Sequence, residues 1–345
     1  MTWVPLLLAD RSPSLRYLVL TELLGRNSDD NEAKELVKLR EEDPIITSLL
    51  NLQKESGKWR ELDQAGYTIG GAIRATTAAL MRLGYLGLNN DHPAIKRGVE
   101  YIFSKQRKDG SWPLPERVAD YEYTRGPYTM SPVQTSIPLL GLVMCGYGED
   151  SRSERAFEWL LNVRLEDGTW PAGKVKDVFV GIAGYRRLPY SQWGCRTNTT
   201  QSLLCFAYHP KRNNSTEARE ALDHLLGRET RDRNNLGFNV ARYIGVEPHR
   251  GGLTYHAKFD PSLVLDICSR VGANREDPRV DELVKWILEQ QGQYGLWEYS
   301  SHPEVSRWVS FDILRSLRNI DASTEWFSTK QRKHFTPYPK RRSRF

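Results

Sequence analysis

The sequence feature that most constrains this chain is a short segment ending in Gly-x-Trp, which the chain repeats. Close copies occupy residues 53–59, 106–112, 164–170 and 291–297, and a weaker one ends at Phe238. The spacing between copies is about fifty to seventy residues, which is typical of one supersecondary unit used several times. Any fold proposed for this chain must therefore be built from a repeated unit.

Each copy stands between two stretches with helical patterns. The stretch before it is amphipathic, and the stretch after it is more apolar and usually ends at a glycine. The glycine of the motif allows a tight turn at a helix end, and the tryptophan offers a large apolar surface that can hold the turn against the next unit. We therefore interpret the repeated tryptophans as structural.

The Gln-x-x-x-Gly-x-Trp turn of residues 53–59 and 106–112 resembles the QW motif of squalene and oxidosqualene cyclases. It is also similar to the repeats of protein prenyltransferase beta subunits. The resemblance implies an all-α fold: a single α/α toroid of about six helical hairpins, with inner helices around a central cavity. Since the repeats run without a linker, we expect one toroidal domain over residues 1–325 and a basic, flexible tail over residues 326–345.

Six stretches are expected to be the inner helices, and each begins after a repeated turn or at the start of the chain. They cover residues 12–24, 67–84, 128–146, 193–208, 255–271 and 305–317. The connection over residues 171–191 is the longest irregular one, and loops of this length in compact domains are usually functional or mobile. We interpret it as a rim or lid over the cavity mouth.

Composition excludes several classes of protein. Hydrophobic residues make up 39% of the chain, and no apolar run approaches the roughly 20 residues that span a bilayer. The apolar start lacks the basic flank of a signal peptide, and the four cysteines are widely spaced, which suits a reducing compartment. We expect a cytoplasmic protein. It has no glycine-rich phosphate loop, and we expect no nucleotide cofactor.

The C-terminal tail carries most of the net charge of +6. Residues 330–345 contain seven Lys or Arg and no acidic residue. Such a segment is usually solvated and flexible, but it can also bind anionic lipid. A peripheral membrane contact through the tail is therefore one expectation. No nucleic-acid-binding module surrounds the tail, so no nucleic-acid partner is expected, and the sequence does not predict a protein partner.

Polar residues at the starts of the inner helices are the candidates for a functional site, because these first turns should line one end of the cavity. The expected cavity or substrate-binding residues are Tyr67, Tyr128, Gln134, Trp193, Tyr255, Trp308 and Asp312. The expected catalytic residues are Cys195, His256 and Asp260. His256 and Asp260 are four residues apart, so on one helix they would share a face.

Cyclase-like chemistry is the leading interpretation of these residues. The resemblance implies an apolar, isoprenoid substrate that is cyclised or isomerised after protonation. Burial would keep Asp260 protonated as the acid, while aromatic faces would stabilise a carbocation. No cofactor is expected in this case. The Asp-x-Asp-Asp motif of the cyclases is absent from the sequence.

Three alternatives remain open. Cys195, His256 and Asp260 could bind zinc with an open fourth position, as a zinc-dependent transferase or cyclase would. The prenyltransferase Asp-x-Cys pattern occurs at residues 266–268, which we expect at the opposite end of the cavity from the site. In another alternative the toroid is a non-catalytic binding or scaffold protein. Finally, each of the three residues could be structural, with Asp260 at a helix N-terminus before Pro261 and Cys195 a small buried residue.

Overall fold

The computed structural model describes residues 3–27, 29–59, 71–113, 128–182, 184–227, 236–248 and 255–323. Helices dominate this part of the chain. They are α1 (Trp3–Leu8), α2 (Pro13–Leu18), α3 (Asn31–Arg40), α4 (Pro44–Leu50), α5 (Gly71–Tyr85), α6 (Pro93–Phe103), α7 (Pro132–Met144), α8 (Ser151–Asn162), α9 (Arg196–Tyr208), α10 (Thr216–Leu226), α11 (Phe238–Ile244), α12 (Tyr255–Lys258), α13 (Pro261–Val271), α14 (Pro278–Glu289) and α15 (Ser306–Ala322). A π-helical turn, Val19–Leu23, continues α2.

Three short antiparallel strands accompany the helices. Strand β1 (Tyr128–Met130) pairs with β2 (Lys174–Val175), which pairs with β3 (Val178–Phe179). Strands β2 and β3 lie in the connection over residues 171–191, the predicted rim or lid. They join this connection to the segment before α7.

The inner helices pack side by side in chain order. Helix α5 packs against α7, α7 against α9, α9 against α13, and α13 against α15. The π turn after α2 packs against α15, while a Cβ placed on Gly87, just after α5, would lie 3.6 Å from Leu18 Cδ2. Helix α2 with its π turn therefore closes the ring as its sixth member. Helices α3, α6, α8, α10 and α14 each pack outside the inner helix that precedes them. The predicted α/α toroid is confirmed.

The repeated turns are built alike. Gly57 has φ of +81°, and a Cβ there would lie 2.2 Å from the Arg97 carbonyl oxygen of the next outer helix, so only glycine fits. Gln53 Nε2 donates both to Gly57 O at 2.9 Å and to Ala94 O at 2.8 Å. The glutamine thus ties its own turn to the start of the following outer helix. Gln106 repeats both bonds one unit later, to Gly110 O and Arg152 O.

The tryptophans of the four intact repeats have the structural role predicted for them. All four are buried, and each indole Nε1 donates to the carbonyl of the residue ten positions earlier at 2.7–2.9 Å; the pairs are Trp59 with Leu49, Trp112 with Ile102, Trp170 with Leu160 and Trp297 with Ile287. A large apolar ring with its single donor satisfied can be buried at no polar cost. Each tryptophan therefore joins its outer helix to the turn that follows.

The region of the weak repeat and of the inner helix predicted after it differs from the prediction in two ways. The predicted inner helix over residues 255–271 is two helices, α12 and α13, because the chain leaves the helical conformation at Asp260 before Pro261. The weak repeat ending at Phe238 leads into an additional short helix, α11, which packs against both α5 and α15. Neither the break nor the extra helix was predicted.

Candidate functional site

One hydrogen bond sets the orientation of the inner helices. The backbone N–H of each motif tryptophan donates to a hydroxyl on the following inner helix; the acceptors are Thr76, Thr135, Thr199 and Ser310. These hydroxyls mark the outward side of their helices. With 3.6 residues per turn, the positions two and nine residues later lie on the opposite side. Tyr85, Tyr208 and Asp312 therefore face the interior of the ring.

Contacts between helices confirm this orientation and define an interior ionic cluster. Tyr208 of α9 donates its hydroxyl to Asp266 Oδ2 of α13 at 3.0 Å. Arg270 Nε lies 2.9 and 3.0 Å from the two Asp266 oxygens. Arg315 Nη2 of α15 bonds Asp312 Oδ1 and lies 3.4 Å from Asp266 Oδ1. The cluster joins three of the inner helices.

Two further groups complete the cluster. Arg315 Nη1 lies 3.1 Å from a Glu22 oxygen on the π turn. The Tyr85 hydroxyl of α5 is 3.5 Å from Asp312 Oδ1. Burial, followed by the charge of Asp312, raises the pKa of Tyr85 well above its usual value, so this phenol stays protonated and can donate. The cluster thus reaches across the ring closure.

The interior cluster has one more carboxyl group than it has guanidinium groups in the part of the chain that the structure describes. Among the described residues it contains three carboxyl groups, of Glu22, Asp266 and Asp312, and two guanidinium groups, of Arg270 and Arg315. Asp266 has both guanidinium groups and a phenol as partners. Burial acts to raise its pKa, but Arg270 and Arg315 outweigh burial and hold the pKa below its usual value. Asp266 therefore remains ionised.

Asp312 is the carboxyl group of the cluster that burial makes easiest to protonate. It is only 4% exposed, and its one guanidinium partner is shared with Asp266 and Glu22. Burial raises the pKa of Asp312 to about 7, and Arg315 opposes this effect only in part. All the hydrogen bonds that Asp312 makes with described residues fall on Oδ1, so Oδ2 is the oxygen that can hold the proton. A carboxylic acid that is neutral near pH 7 can act as a Brønsted acid.

The Tyr85 phenol that contacts Asp312 belongs to a set of three packed aromatic rings. The ring of Tyr85 stacks on Tyr243 of α11, with centroids 4.9 Å apart, and packs against Trp308 of α15 at 6.1 Å. Trp308 lies one helical turn before Asp312. Aromatic faces attract cations through their quadrupole. An acid next to three such rings is suited to forming and stabilising a carbocation.

The structure gives Asp260 a capping role at two helices. Its Oδ1 accepts hydrogen bonds from Ser262 N, Ser262 Oγ and Gly237 N at 2.7–3.1 Å, and its Oδ2 accepts from Asn239 N at 2.8 Å. Asp260 therefore caps the N-terminus of α13 and also that of α11. Burial raises its pKa to about 6 against these four donors, each of which favours the ionised form.

The other end of α11 is held by α5. Arg82 donates from Nε to Tyr243 O at 3.1 Å and from Nη2 to Ile244 O at 3.2 Å. A guanidinium group at a helix C-terminus satisfies the last carbonyls and complements the helix dipole. Asp260 and Arg82 thus hold α11 at its two ends. Since Tyr243 belongs to α11, this arrangement positions part of the aromatic wall.

Cys195 is the N-cap residue of α9 and is buried. Its Sγ lies 3.2 Å from Arg186 Nη2 and 3.5 Å from Asn198 Nδ2. Burial acts to raise the pKa of the Cys195 thiol, but Arg186 and the Asn198 hydrogen bonds outweigh it and lower the pKa. Cys145, Cys205 and Cys268 are buried thiols whose pKa is raised by burial.

The predicted zinc ligands are not brought together as expected. Helix α12 ends at Lys258, so His256 and Asp260 do not lie on one helix. The expectation that they share a helix face was therefore wrong. In the described part of the chain, no three His, Cys, Asp or Glu residues form a group that could hold a metal. The side chain of His256 lies outside the described residues, so the zinc site stays a prediction.

The remaining predicted cavity residues are placed as follows. Gln134 is buried on α7, and Trp193 stacks on Phe179 of β3 with centroids 5.7 Å apart. Tyr67 lies outside the described residues, and the structure describes the backbone of Tyr128 and Tyr255 but not their side chains. Of the predicted cavity residues whose side chains are described, Trp308 and Asp312 are the two that meet at the interior cluster.

Sequence reasoning missed most of this cluster. It did not select Tyr85, Tyr208, Arg270 or Arg315, and it assigned Asp266 to the opposite end of the cavity from the site. The available signal was an acidic residue followed three or four positions later by arginine in an otherwise apolar helix, as in Asp266 with Arg270 and Asp312 with Arg315. Such pairs share a helix face, and on an inner helix that face can only point to the interior.

Comparison with known proteins agrees with this architecture. Residues 22–181 match the squalene-hopene cyclase C-terminal domain. This match covers less than half of the chain. The chain is 30% identical over 128 residues to a probable squalene–hopene cyclase of Sinorhizobium fredii, and 28% identical over 150 residues to the squalene–hopene cyclase of Zymomonas mobilis. These matches cover 36% and 43% of this chain.

The terpenoid cyclase relatives are much longer proteins. The chain spans about a fifth of the length of those it matches, 19% and 21% respectively. Among solved structures, it is similar to a protein from Actinoplanes, with 14% identity and a TM-score of 0.45 over 89% of this chain and 90% of that one. It is also similar to the type II terpene cyclase MstE of Scytonema, with 12% identity and a TM-score of 0.34 over 81% of this chain and 96% of that one.

In the described ranges, none of the helices combines the length and the hydropathy needed to cross a bilayer.

Proposed function

We propose that this protein is a terpene cyclase-like enzyme that protonates an apolar, isoprenoid substrate in the interior of the toroid. Asp312 is the proton donor in this proposal, and Asp260 is a positioning residue that caps two helices. The observation that carries the proposal is the buried carboxyl group of Asp312, which lies 3.5 Å from the hydroxyl of Tyr85, a ring packed against Tyr243 and Trp308. The similarity of residues 22–181 to the squalene-hopene cyclase C-terminal domain supports the substrate class.

The chemistry follows from the geometry. The π electrons of a substrate double bond form a new C–H bond with the proton of Asp312, which leaves a carbocation on the substrate and a carboxylate on the protein. Arg315 bonds that carboxylate and stabilises its charge. The aromatic rings stabilise the cation while a second double bond attacks it to close a ring. Loss of a proton from the product cation to water completes the reaction and returns a neutral alkene.

The experiment replaces Asp312 by Asn, which keeps the shape and removes the acidic proton. Purified protein is incubated with squalene or with geranylgeraniol, and the products are separated by gas chromatography and identified by mass spectrometry. General acids contribute about 10²–10⁴-fold to rate, so we expect Asp312→Asn to lower kcat at least about a hundredfold. Circular dichroism and the unfolding midpoint show whether the variant remains folded.

Asp321→Asn is the matched control, because Asp321 lies near the end of the same helix and is exposed. It should keep wild-type turnover. A folded Asp312→Asn protein with unchanged turnover would eliminate Asp312 as the acid. Failure of the wild-type protein to convert any uncharged isoprenoid would count against the cyclase proposal as a whole.

A further inference from the structure

A cavity of about 650 Å³ lies where the ring closes. Three distant parts of the chain line it: the segment before α2 with the start of α4, the end of α11, and the start of α15. We call it the seam pocket. Its volume falls within the range of about 300–1,000 Å³ that is usual for small-molecule sites. The cavity is therefore large enough to hold a substantial part of a ligand.

The inner wall of the seam pocket is apolar. Ile45 of α4, Ile244 and Val246 at the end of α11, and Trp308 of α15 contribute to it. Ile244 and Trp308 are buried, whereas Ile45 and Val246 are partly exposed toward the pocket side. Apolar surface that remains accessible in a concave site is the usual feature of a site for an apolar ligand.

The rim is charged but nearly balanced. Arg307 Nη1 lies 3.3 Å from Asp10 Oδ2 and 3.4 Å from Ala9 O, so it links α15 to the N-terminal segment. The described lining residues contain three carboxylates, of Asp10, Asp43 and Glu304, and two guanidinium groups, of Arg11 and Arg307. A diphosphate would meet a net negative lining. The pocket therefore favours an uncharged ligand.

The inner wall of the seam pocket adjoins the acid site. Trp308 lines the pocket and also packs against Tyr85, whose hydroxyl is 3.5 Å from Asp312. Ile244 follows Tyr243, whose ring also stacks on Tyr85. Trp308 and Tyr85 thus connect the wall of the pocket to Asp312.

We propose that the seam pocket binds the hydrocarbon chain of an uncharged isoprenoid and delivers it past Trp308 to the acid site. This inference rests on the proposed function for the identity of the acid, and it adds the place of entry and the exclusion of prenyl diphosphates. The ring closure is suited to this role because the repeated tryptophan turns do not form the pocket lining. A ligand can therefore enter there without disturbing a repeat.

Photoaffinity labelling tests the position of the pocket. The probe is geranylgeraniol carrying a diazirine on its hydrocarbon chain, and the labelled peptides are identified by mass spectrometry. We expect labelling of segments 43–46, 244–246 and 303–308. Unlabelled geranylgeraniol should compete for the site, whereas geranylgeranyl diphosphate should compete at least about tenfold less well, since like charges oppose its binding. Labelling confined to other segments, or equal competition by the diphosphate, would overturn the proposal.

Ile45→Lys places a charge in the wall of the pocket. Changes of one methylene in apolar pockets alter discrimination by about 10–200-fold, so we expect labelling to fall at least about tenfold. Val37→Lys is the control, because Val37 is an exposed apolar residue on α3 that does not line the pocket. Both variants are checked for folding by circular dichroism. Undiminished labelling of a folded Ile45→Lys protein would contradict the proposal.

Asp312→Asn separates this inference from the proposed function. The substitution leaves the pocket lining intact, so the variant should be labelled like the wild type even though its turnover is lost. Labelling at the pocket with turnover independent of Asp312 would reject the acid and retain the binding site. Turnover that depends on Asp312 without labelling at the pocket would reject the seam pocket and retain the acid.

Discussion

Replacement of Asp260 provides the sharpest test of how this site is built. The residue was the acid expected from sequence, whereas its geometry makes it the cap of both α11 and α13. Its four hydrogen bonds come from three backbone N–H groups and one hydroxyl, and all of them are buried. The two roles predict different results for the same substitution.

The expected loss of stability follows from the donors left without partners. An unsatisfied buried donor costs about 1–3 kcal/mol. In Asp260→Asn the side-chain oxygen can keep the donors at Oδ1, but its NH₂ group then faces Asn239 N at the position of Oδ2. The Asn239 N–H loses its acceptor and the new NH₂ group has none, so two buried donors are unsatisfied and we expect a loss of roughly 2–4 kcal/mol in the free energy of unfolding. Asp260→Ala removes all four acceptor contacts and should be worse.

Urea unfolding followed by circular dichroism measures this loss. Asp30→Asn is the matched control, because Asp30 caps only α3 and lies at the surface, where asparagine caps about as well as aspartate. It should change the free energy of unfolding by only a few tenths of a kcal/mol. Turnover of Asp260→Asn should fall with the fraction of folded protein. An unchanged unfolding midpoint combined with lost turnover would refute the capping role and restore Asp260 as the acid.

Three further predictions concern pH, metal and the tail. Because Asp312 must be protonated to act, turnover should fall as pH rises through about 7, and a flat pH–rate profile would contradict this. The folded state also keeps this proton between the unfolded pKa of about 4 and about 7. The contribution of Asp312 to the free energy of unfolding should therefore decline with rising pH in that window. Protein purified without a metal-affinity tag should contain no stoichiometric zinc, since the oxygens of Asp260 are occupied and Cys195 contacts Arg186; one zinc per chain, lost in Cys195→Ala, would establish the zinc-dependent alternative. Deletion of residues 326–345 should abolish salt-sensitive binding to phosphatidylserine vesicles without changing turnover of dispersed substrate; vesicle binding that survives the deletion would exclude the tail as the contact.

Vesicle binding that depends on the tail, together with the absence of turnover, would instead favour the scaffold alternative. That alternative shares the toroid and the tail with the enzyme proposal. It differs in requiring no proton donor, so the Asp312→Asn comparison decides between them.

The fold was predictable because its signals are local and repeated. Three features recur at 53–59, 106–112, 164–170 and 291–297: a glycine that needs positive φ, a tryptophan as the seventh residue of the motif, and a glutamine or arginine that bonds the turn. Each unit must bury its apolar face against the next one. Stacking such units side by side and closing the ring satisfies this requirement for all of them.

The candidate site was predictable only in part. Trp308 and Asp312 were selected because they lie near the start of an inner helix. Asp260 was expected to be the acid. The alternative interpretation, in which it is a helix N-terminal carboxyl group before Pro261, agrees with its place before α13, but sequence could not show that the N–H groups of α11 also bond it. Helix α11 follows the weak repeat and has only seven residues. So short a helix gives no periodic signal in the sequence.

The sequence by itself determined the repeated helical hairpins, their inner and outer faces and the structural role of the tryptophans, because these depend on interactions between residues close in the chain. Only the tertiary structure decided which charged groups meet. Asp266, Asp312 and Arg315 come from α13 and α15, while Tyr85 and Glu22 come from the first part of the chain. The proton on Asp312 depends on burial and on the count of charges around it, and both exist only when the ring is closed.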